Sequence, residues 1–269
     1  MDSAELLKEW EWLVRTELTA KLEAIDRHLE ECSKKLSPFP IAGAEIRPVL
    51  LSSQHQGDNV LCTVTVDGDR ISRAELNVRA PGKGGRSLRT TIKEQSPWKL
   101  KQVQDSVNHF QRVRDLYASL KSCGHSSQSC LRGCLEGLLG ALLQTEAALT
   151  LPPNTTAQHI FNNNQKSVLK PELPEDVALY FHISSSLLVL TVLAVTARGG
   201  VREMKDIESN SWMGALFEHG SVIYEVTGQL RVSASVPWLA AVLALLRQSL
   251  ELTQDLLDKV KVFDGVSSV

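Results

Sequence analysis

The C-terminal stretch, residues 237–263, is the feature that most constrains how this chain folds. Its apolar positions recur at steps of three and four residues, with one polar interruption at Thr253, and they are Leu239, Leu243, Leu246, Leu250, Leu257 and Val260. Side chains at this spacing lie along one stripe of an α-helix, and Pro237 is tolerated in the first turn. A helix of about 40 Å cannot bury such a stripe alone, so other long helices must cover this zipper seam.

Three other segments have the same periodicity and supply candidates for that role. Apolar residues at helical spacing run through residues 7–36, 97–120 and 131–149. Ser96 and Pro97 have the residue types preferred at an N-cap and a first helical turn, so they predict the start of the second segment. Together with the C-terminal helix, these segments can close the core of a helical bundle.

Between the helices, the apolar period changes to two, which indicates strands. Residues 60–66, 71–78 and 88–92 alternate, with an Asp67-Gly68 turn, and predict an antiparallel meander. Residues 177–197 are apolar enough to suggest a transmembrane span, but His182 and three serines interrupt them. We predict a β-hairpin joined at the serines and keep the membrane span as the alternative. Further strands are predicted at 212–217, 222–226 and 230–236.

This order of elements predicts an α+β fold. We expect an elongated two-domain protein with an antiparallel four-helix-type bundle that pairs the N- and C-terminal helices, plus an antiparallel β domain. The helical domain is predicted to comprise residues 1–36, 97–149 and 237–263. The β domain is predicted to comprise residues 44–95 and 177–236, with 150–176 as a partly mobile linker.

Composition limits the classes of partner and the compartment. The formal net charge is −2 and aromatic residues make up 5%, so neither a nucleic acid nor an anionic membrane is generally favoured. The five cysteines include no CxxC pair, and the acidic, amphipathic N-terminus does not resemble a secretory signal. We therefore expect free thiols in a reducing, cytosolic compartment.

No motif predicts catalytic, cofactor-binding or metal-binding residues. Cys123, His125, Cys130 and Cys134 invite a zinc hypothesis, but the tight cysteine pair that is typical of structural zinc is absent. The GKGGRS stretch at residues 82–87 lacks the spacing of a phosphate loop, and no helix is predicted after it. The chain is therefore expected not to be an enzyme.

Several segments, in order along nearly the whole chain, resemble the Rogdi family of leucine-zipper-containing proteins, which is related to the small subunit of the fungal RAVE complex. They are Glu9-Trp10-Glu11-Trp12-Leu13, Trp98-Lys99-Leu100-Lys101-Gln102-Val103-Gln104-Asp105, Asn108-His109, Phe217-Glu218-His219-Gly220-Ser221, Glu225-Val226, Pro237-Trp238-Leu239 and Asp258-Lys259-Val260-Lys261-Val262-Phe263. The chain departs from the family pattern at His219, where tryptophan is expected.

The resemblance implies a helical bundle joined to a β domain and a non-enzymatic adaptor role in assembling the vacuolar-type proton ATPase, and so in organelle acidification. It implies that the partners are a large β-propeller scaffold subunit and peripheral-sector subunits of the ATPase. We expect a protein without cofactor, nucleic acid or membrane span, and monomeric outside the complex. It would be cytoplasmic and recruited peripherally to endosomal, vacuolar or synaptic-vesicle membranes, with the nucleus as a further location.

Two other hypotheses stay open. One is a generic helical scaffold or dimerisation protein with a nuclear or signalling role, which needs a zipper stripe that is free to pair. No basic region precedes the stripe, which argues against a DNA-binding zipper. The other is an enzyme that uses the β domain as a cleft, which needs a pocket with convergent polar groups.

Residues 212–221 are the predicted contact segment, because Trp212, Phe217 and His219 stand among polar neighbours there. Aromatic residues are enriched where interfaces concentrate their binding energy. The competing interpretation is that Trp212 and Phe217 belong to the core of the β domain.

Overall fold

A computed structural model describes residues 3–37, 48–53, 60–80, 87–123, 128–152, 155–162, 166–198 and 212–263. Its α-helices are α1 (Ser3–Trp12), α2 (Thr19–Leu36), α3 (Lys101–Cys123), α4 (Gln128–Thr150), α5 (Ala157–Asn162) and α6 (Pro237–Val262). Its strands are β1 (Val49–Ser53), β2 (Val60–Asp67), β3 (Arg70–Arg79), β4 (Ser87–Ile92), β5 (Trp98–Lys99), β6 (Leu169–Lys170), β7 (Val177–Ser184), β8 (Leu187–Arg198), β9 (Leu216–His219) and β10 (Val222–Ser235). Helices occur together with antiparallel sheets, so the predicted α+β class is confirmed.

The described residues divide into two compact units. The helical unit lies within Met1–Ser37, Val103–Thr150 and Pro237–Val269, and the β unit lies within Pro38–Gln102 and Leu151–Val236. Each unit therefore draws on segments that are far apart in the chain.

In the helical unit, α1 and α2 are joined without a break by one π-helical segment, Leu13–Leu18. A π turn inserts an extra residue into the α-helical register. Here Leu13 and Val14, which are adjacent in sequence, are both buried. The hydroxyl of Thr19 donates a hydrogen bond to the Val14 carbonyl at 3.3 Å, which adds a side-chain donor beside the wider turn.

The N-terminal helices lie antiparallel to α6. The Trp10 and Phe263 rings meet edge to face with centroids 5.5 Å apart, and further along His28 Nδ1 lies 3.4 Å from Ser249 Oγ. The residue number on one helix rises while the number on the other falls, which defines the antiparallel direction.

Four charged side chains reinforce this contact. Lys21 bonds Glu17 at 2.7 Å and also pairs with Asp255, while Lys259 pairs with Glu17 and lies 3.1 Å from Asp255. The two lysines hold the pKa of Glu17 below its ordinary value through their hydrogen bonds. The signs alternate around the group, so every charge has a neighbour of opposite sign.

The remaining long helices meet through side-chain hydrogen bonds. Arg247 Nε donates to Glu146 Oε1 at 2.6 Å. Tyr117 Oη donates to the Leu22 carbonyl at 2.6 Å, and Ser106 Oγ donates to the Thr145 carbonyl at 3.3 Å. Helix α4 therefore contacts α6, and α3 contacts both α2 and α4.

Most of the predicted zipper seam is buried in this unit. Its buried members are Leu239, Leu243, Leu246, Leu257 and Val260. Leu250 is only half-buried, whereas its neighbour Ser249 is fully buried. Ser249 and Thr253 satisfy their hydroxyls on the carbonyls one turn earlier, at 3.0 and 2.7 Å. The buried stripe consequently runs through these two polar residues instead of through Leu250.

The β unit contains two antiparallel sheets. The first has the order β1-β2-β3-β4-β6 with β5 paired to β3, and the second has the order β7-β8-β10-β9. The Trp98 and Phe181 rings join the two sheets, with centroids 5.4 Å apart.

The hairpin predicted over residues 177–197 is confirmed. It consists of β7 and β8, which Ser185 and Ser186 join with φ values of 50° and 69°. Of the described helices, none combines the length and the apolarity that crossing a bilayer requires.

The predicted helix start at Ser96 and Pro97 is wrong. Trp98 instead pairs with Ile71 as part of β5, and the Leu100 amide donates to the Asp69 carbonyl at 2.7 Å. Helix α3 begins after these contacts, at Lys101. The capping preference of Ser96 and Pro97 was therefore outweighed by the pairing of the next residues with a neighbouring strand.

Two strand boundaries near the C-terminus also differ from the prediction. The segment predicted as a strand over 212–217 begins with a turn at Gly214 (φ 78°), and the strand itself is β9. The two strands predicted over 222–226 and 230–236 form one strand, β10. A register shift between Val226 and Gly228 leaves Thr227 as an extra residue opposite β8.

The segment for which a linker was predicted contributes to the β unit. Within residues 150–176, the structure has α5, a short 3-10 helix at Lys166–Val168 and β6. Ile160 and Leu169 are almost completely buried, at 1% and 0% exposure. At least these two side chains therefore belong to the core of the β unit.

Burial of the seam predicts a stability difference between two leucines. Replacing Leu246, which is fully buried, with alanine should cost about 2–5 kcal/mol of the free energy of unfolding, because it removes packed methyl groups and leaves a cavity. Leu143→Ala is the matched control, because that side chain on α4 is 50% exposed and should change stability by less than about 0.5 kcal/mol. Denaturant unfolding followed by far-ultraviolet circular dichroism measures both, and equal losses would contradict the burial assigned to the seam.

Candidate functional site

Helix α5 covers part of one face of the second sheet. Thr156 starts it as an N-cap, since its hydroxyl accepts a hydrogen bond from the His159 amide at 3.1 Å. Two residues one turn apart then fix the edge strand β9. Gln158 Nε2 donates to the Glu218 carbonyl at 2.9 Å, and Asn162 Oδ1 lies 2.6 Å from Nδ1 of His219.

An aromatic cluster lies beneath α5. The Phe161 ring is 5.2 Å from the ring of Phe217, 5.0 Å from that of Tyr224 and 5.3 Å from that of His219. Phe217 and Tyr224 are cross-strand partners and stack with their centroids 5.7 Å apart. The contact with Phe161 therefore helps to hold the His219 ring against the cluster.

The three predicted contact residues occupy different environments in this cluster. Phe217 is only 3% exposed and belongs to the core of the β unit. Trp212 is half-buried and packs against the cluster, and its amide donates to Gln229 Oε1 at 2.8 Å. His219 is exposed. The structure thus brings all three residues to one face of the sheet but leaves His219 as the most accessible of them.

The chemistry of His219 is defined by its hydrogen bond. The Asn162 oxygen is an acceptor, so Nδ1 carries the proton in this pair. The other ring nitrogen, Nε2, can then bond a partner, and the ring is held in one orientation by Asn162.

Two further polar side chains lie on the same face of the sheet, next to Tyr180, which packs against the cluster. Nδ1 of His182 and the hydroxyl of Thr191 are buried, and no hydrogen-bond partner for either atom lies among the described residues. The Tyr180 ring stacks on His182 with centroids 5.3 Å apart and lies directly opposite Thr191 across the strand pair. Burial, followed by the positive charge of Arg231, lowers the pKa of His182 to about 4.

The cysteines differ in chemical state. Cys32, Cys62 and Cys134 are free thiols, whereas Cys130 is disulfide-bonded, so the expectation that all five are free is wrong. Burial raises the pKa values of the Cys32 and Cys62 thiols to about 12, which removes the reactive thiolate at neutral pH.

The four residues considered for zinc are only partly described. His125 and the side chain of Cys123 lie outside the described residues. Among the described residues, no group of three or more histidine, cysteine, aspartate or glutamate side chains could hold a metal ion.

The sequence did not identify α5, which positions this site. A six-residue helix is too short to reveal a helical period, and the segment around it contains several prolines and asparagines. The one usable signal was Thr156, whose residue type is favoured at an N-cap.

The fold defines a mixed α+β protein whose leucine-rich C-terminal helix buries its apolar seam within its own chain. The family model of the Rogdi leucine zipper containing protein matches residues 9–212. The chain therefore belongs to the Rogdi family, as its resemblance had suggested.

Relatives match over nearly their full lengths. The protein rogdi homolog of Danio rerio is 29% identical over 97% of this chain and 94% of its own length. The homolog of Mus musculus is 29% identical over 98% of this chain and 94% of its own length. Protein rogdi of Drosophila melanogaster is 27% identical over 97% of this chain and 90% of its own length.

The buried histidine predicts how the stability of the β unit depends on pH. Below an unfolded pKa near 6.5 the unfolded chain binds a proton that the folded chain does not bind until the pH reaches about 4. Stability should therefore fall by about 3 kcal/mol from neutral pH down to pH 4, and this loss should be absent in His182→Phe, which keeps an aromatic ring beside Tyr180.

Unfolding measured at several pH values for both proteins tests this prediction. The exposed His159 supplies the control, since His159→Gln should keep the pH dependence of the unaltered protein. Parallel pH profiles for His182→Phe and the unaltered protein would show that His182 does not carry the effect.

Proposed function

We propose that this protein is a non-enzymatic adaptor subunit of a RAVE-like complex that promotes assembly of the vacuolar-type proton ATPase and so organelle acidification. The proposal rests on the resemblance of the chain to the Rogdi family and on its membership of that family over residues 9–212. The resemblance supplies the role, and the family match supports applying it to this chain.

The observation that favours an adaptor over a free zipper is the burial of the seam. Leu239 and Leu246 are fully buried, and Leu257 and Val260 are 2% and 1% exposed. A dimerisation or DNA-binding zipper needs these side chains on its surface, because the apolar seam is what pairs two helices. Dimerisation through α6 would require the helical unit to open first, so the generic scaffold hypothesis is the weaker one.

We further propose that the long helices close one antiparallel four-helix-type bundle and that the two units act as two domains. The contacts of α6 with α2 and α4, and of α3 with α2 and α4, support a closed arrangement, since each long helix has two neighbours. An adaptor built in this way keeps its apolar seam internal and leaves other surfaces for its partners.

The partners in this proposal are a large β-propeller scaffold subunit of the complex and subunits of the peripheral sector of the ATPase. The protein acts through protein contacts, without a cofactor or nucleic acid, and is monomeric outside the complex. In this proposal the protein is cytoplasmic and is recruited peripherally to endosomal, vacuolar or synaptic-vesicle membranes. A nuclear location belongs to the alternative scaffold role.

The proposed contact with the scaffold subunit centres on His219. The side chain is exposed and is held by Asn162 and by the ring of Phe161. A residue that is already ordered loses less conformational entropy on binding. Trp212, which is half-buried beside the cluster, adds to this contact, while Phe217 supports the surface from the core.

Replacing His219 with alanine tests this contact. Capture of the scaffold subunit by the tagged protein should fall about tenfold or more, which corresponds to the loss of at least 1.4 kcal/mol of binding free energy. The melting temperature should stay close to that of the unaltered protein, because His219 is exposed.

Two comparison variants make the result specific. His109→Ala, at a half-buried histidine of α3, should leave capture unchanged. Trp212→Ala should lower stability as well as capture, because the ring packs against the aromatic cluster. Unchanged capture by His219→Ala would remove this surface from the proposal without testing the assembly role.

The assembly role makes a separate cellular prediction. Cells that lack the protein should acidify vacuoles or endosomes poorly, and the peripheral sector of the ATPase should shift into the cytosol. Luminal pH measurement and fractionation of the two sectors are the readouts. Normal acidification and sector association, with no related protein present, would refute the adaptor role and favour the generic scaffold.

A further inference from the structure

Strand β9 is an edge of the second sheet and has a strand neighbour on one side only. The order of that sheet is β7-β8-β10-β9, so β7 and β9 are its two edge strands. Strand β10 has 14 residues, of which residues 222–225 pair with β9. An edge strand presents backbone N–H and C=O groups that its own sheet does not use, and such groups can pair with a strand of another chain.

The register of the β9–β10 hairpin determines which backbone groups of β9 point toward β10. Its turn has two residues, so His219 and Val222 are the closing pair, whose amides and carbonyls bond one another. Such pairs recur at every second residue of an antiparallel ladder, and the next one joins Phe217 to Tyr224. Strand β9 therefore uses the backbone of Phe217 and His219 to hold β10.

The alternate residues of β9, Leu216 and Glu218, direct their backbone groups away from β10. The Glu218 carbonyl is one of these groups, and it accepts a hydrogen bond from Gln158 Nε2 of α5 at 2.9 Å. Among the residues that the structure describes, no hydrogen bond uses the amide or the carbonyl of Leu216 or the amide of Glu218. Two outward amides and one outward carbonyl are thus open for pairing.

The opposite edge of the sheet, β7, is covered at both ends. The Gln102 side chain bonds the amide and the carbonyl of Ile183, each at 2.7 Å. The Val177 amide donates to the Pro174 carbonyl at 3.1 Å. On β9, by contrast, Glu218 is exposed, so a strand of another protein can reach the edge there.

We propose that the scaffold subunit adds a strand to the second sheet at β9, by pairing an extended segment with the backbone of Leu216 and Glu218. His219 is the last residue of β9, so this pairing and the contact at His219 belong to one surface. The inference rests on the proposed function and adds the kind of structure through which the partner binds. An amide of the partner segment would replace Gln158 at the Glu218 carbonyl.

Hydrogen-bond geometry selects an extended segment as the occupant. The outward groups belong to alternate residues of a strand, and an extended backbone presents its donors and acceptors at the same spacing. A helix uses these groups within itself and cannot offer them to the edge. The proposed partner is a β-propeller, whose blades are small sheets with edge strands of their own.

Replacing Glu218 with proline tests the pairing, because it removes an amide that points away from β10. Capture of the purified scaffold subunit by the tagged full chain should fall about tenfold or more, since the proline ring occupies the place of the N–H and blocks the approaching strand. The melting temperature should stay close to that of the unaltered protein. Proline is tolerated on an edge strand when its nitrogen faces outward, and the bonds of Phe217 and His219 to β10 remain.

Glu218→Ala is the matched control, because it removes the carboxylate and keeps the amide. Its capture of the scaffold subunit should equal that of the unaltered protein. Equal loss in Glu218→Ala and Glu218→Pro would show that the side chain is recognised instead of the backbone, which overturns strand addition. Full capture by Glu218→Pro, where His219→Ala loses it, would also overturn strand addition and would leave the contact at His219 in place.

Amide hydrogen exchange tests the same pairing without a substitution, and so decides the question if proline lowers the melting temperature. In the free protein the amides of Leu216 and Glu218 should exchange rapidly, whereas those of Phe217 and His219 are protected by β10. Binding of the scaffold subunit should slow the exchange of Leu216 and Glu218. Equally rapid exchange of these two amides in the complex would contradict the proposed pairing.

Two further outcomes overturn the inference. Absence of capture by the unaltered protein would refute the proposed contact with the scaffold subunit together with strand addition, whereas the outcomes above refute strand addition alone. Self-association of the free protein that Glu218→Pro abolishes, measured by sedimentation velocity, would assign the edge to a second copy of this chain.

Discussion

Burial of the apolar stripe on α6 is the constraint on which the helical unit depends. Its seam residues are covered by α2, which comes from the other end of the chain, and by α4. His28 and Ser249, which are 221 positions apart in sequence, lie within 3.4 Å of one another. The N-terminal helix therefore cannot have its native neighbour until almost the whole chain has been made, and closing such a contact carries a large entropy cost.

The sequence predicted the long elements well because they repeat a single rule many times. Helical periodicity is sampled over several turns in α2, α4 and α6, and strand alternation is sampled over most of β2 and β3. It assigned Leu250 to the seam instead of Ser249, although both lie at a permitted step from Leu246. Hydrophobicity favours Leu250, but the Ser249 hydroxyl is satisfied by the Leu245 carbonyl and can be buried at little cost.

Short elements were missed because they are too short to repeat a periodic pattern. Tertiary contacts determine where they form. Strand β5 has only two residues, and it exists because Trp98 pairs with Ile71. The later start of α3 also places Gln102 in its first turn, where its amide exchanges two hydrogen bonds of 2.7 Å with the backbone of Ile183 on edge strand β7. The Gln102 side chain thus occupies the backbone hydrogen-bonding groups of the edge strand at Ile183. Covering an edge in this way is one means by which a sheet avoids pairing with other chains.

Two residues of β9 at the candidate site differ in exposure although both contact α5. Phe217 and His219 are two positions apart on β9, so strand alternation assigns them to the same face. Both lie beside Phe161, yet Phe217 is buried and His219 is exposed. Helix α5 ends at Asn162, whose side chain bonds His219 at the rim of the aromatic cluster. The position of the exposed His219 ring is therefore held in part by a helix that the sequence pattern did not reveal.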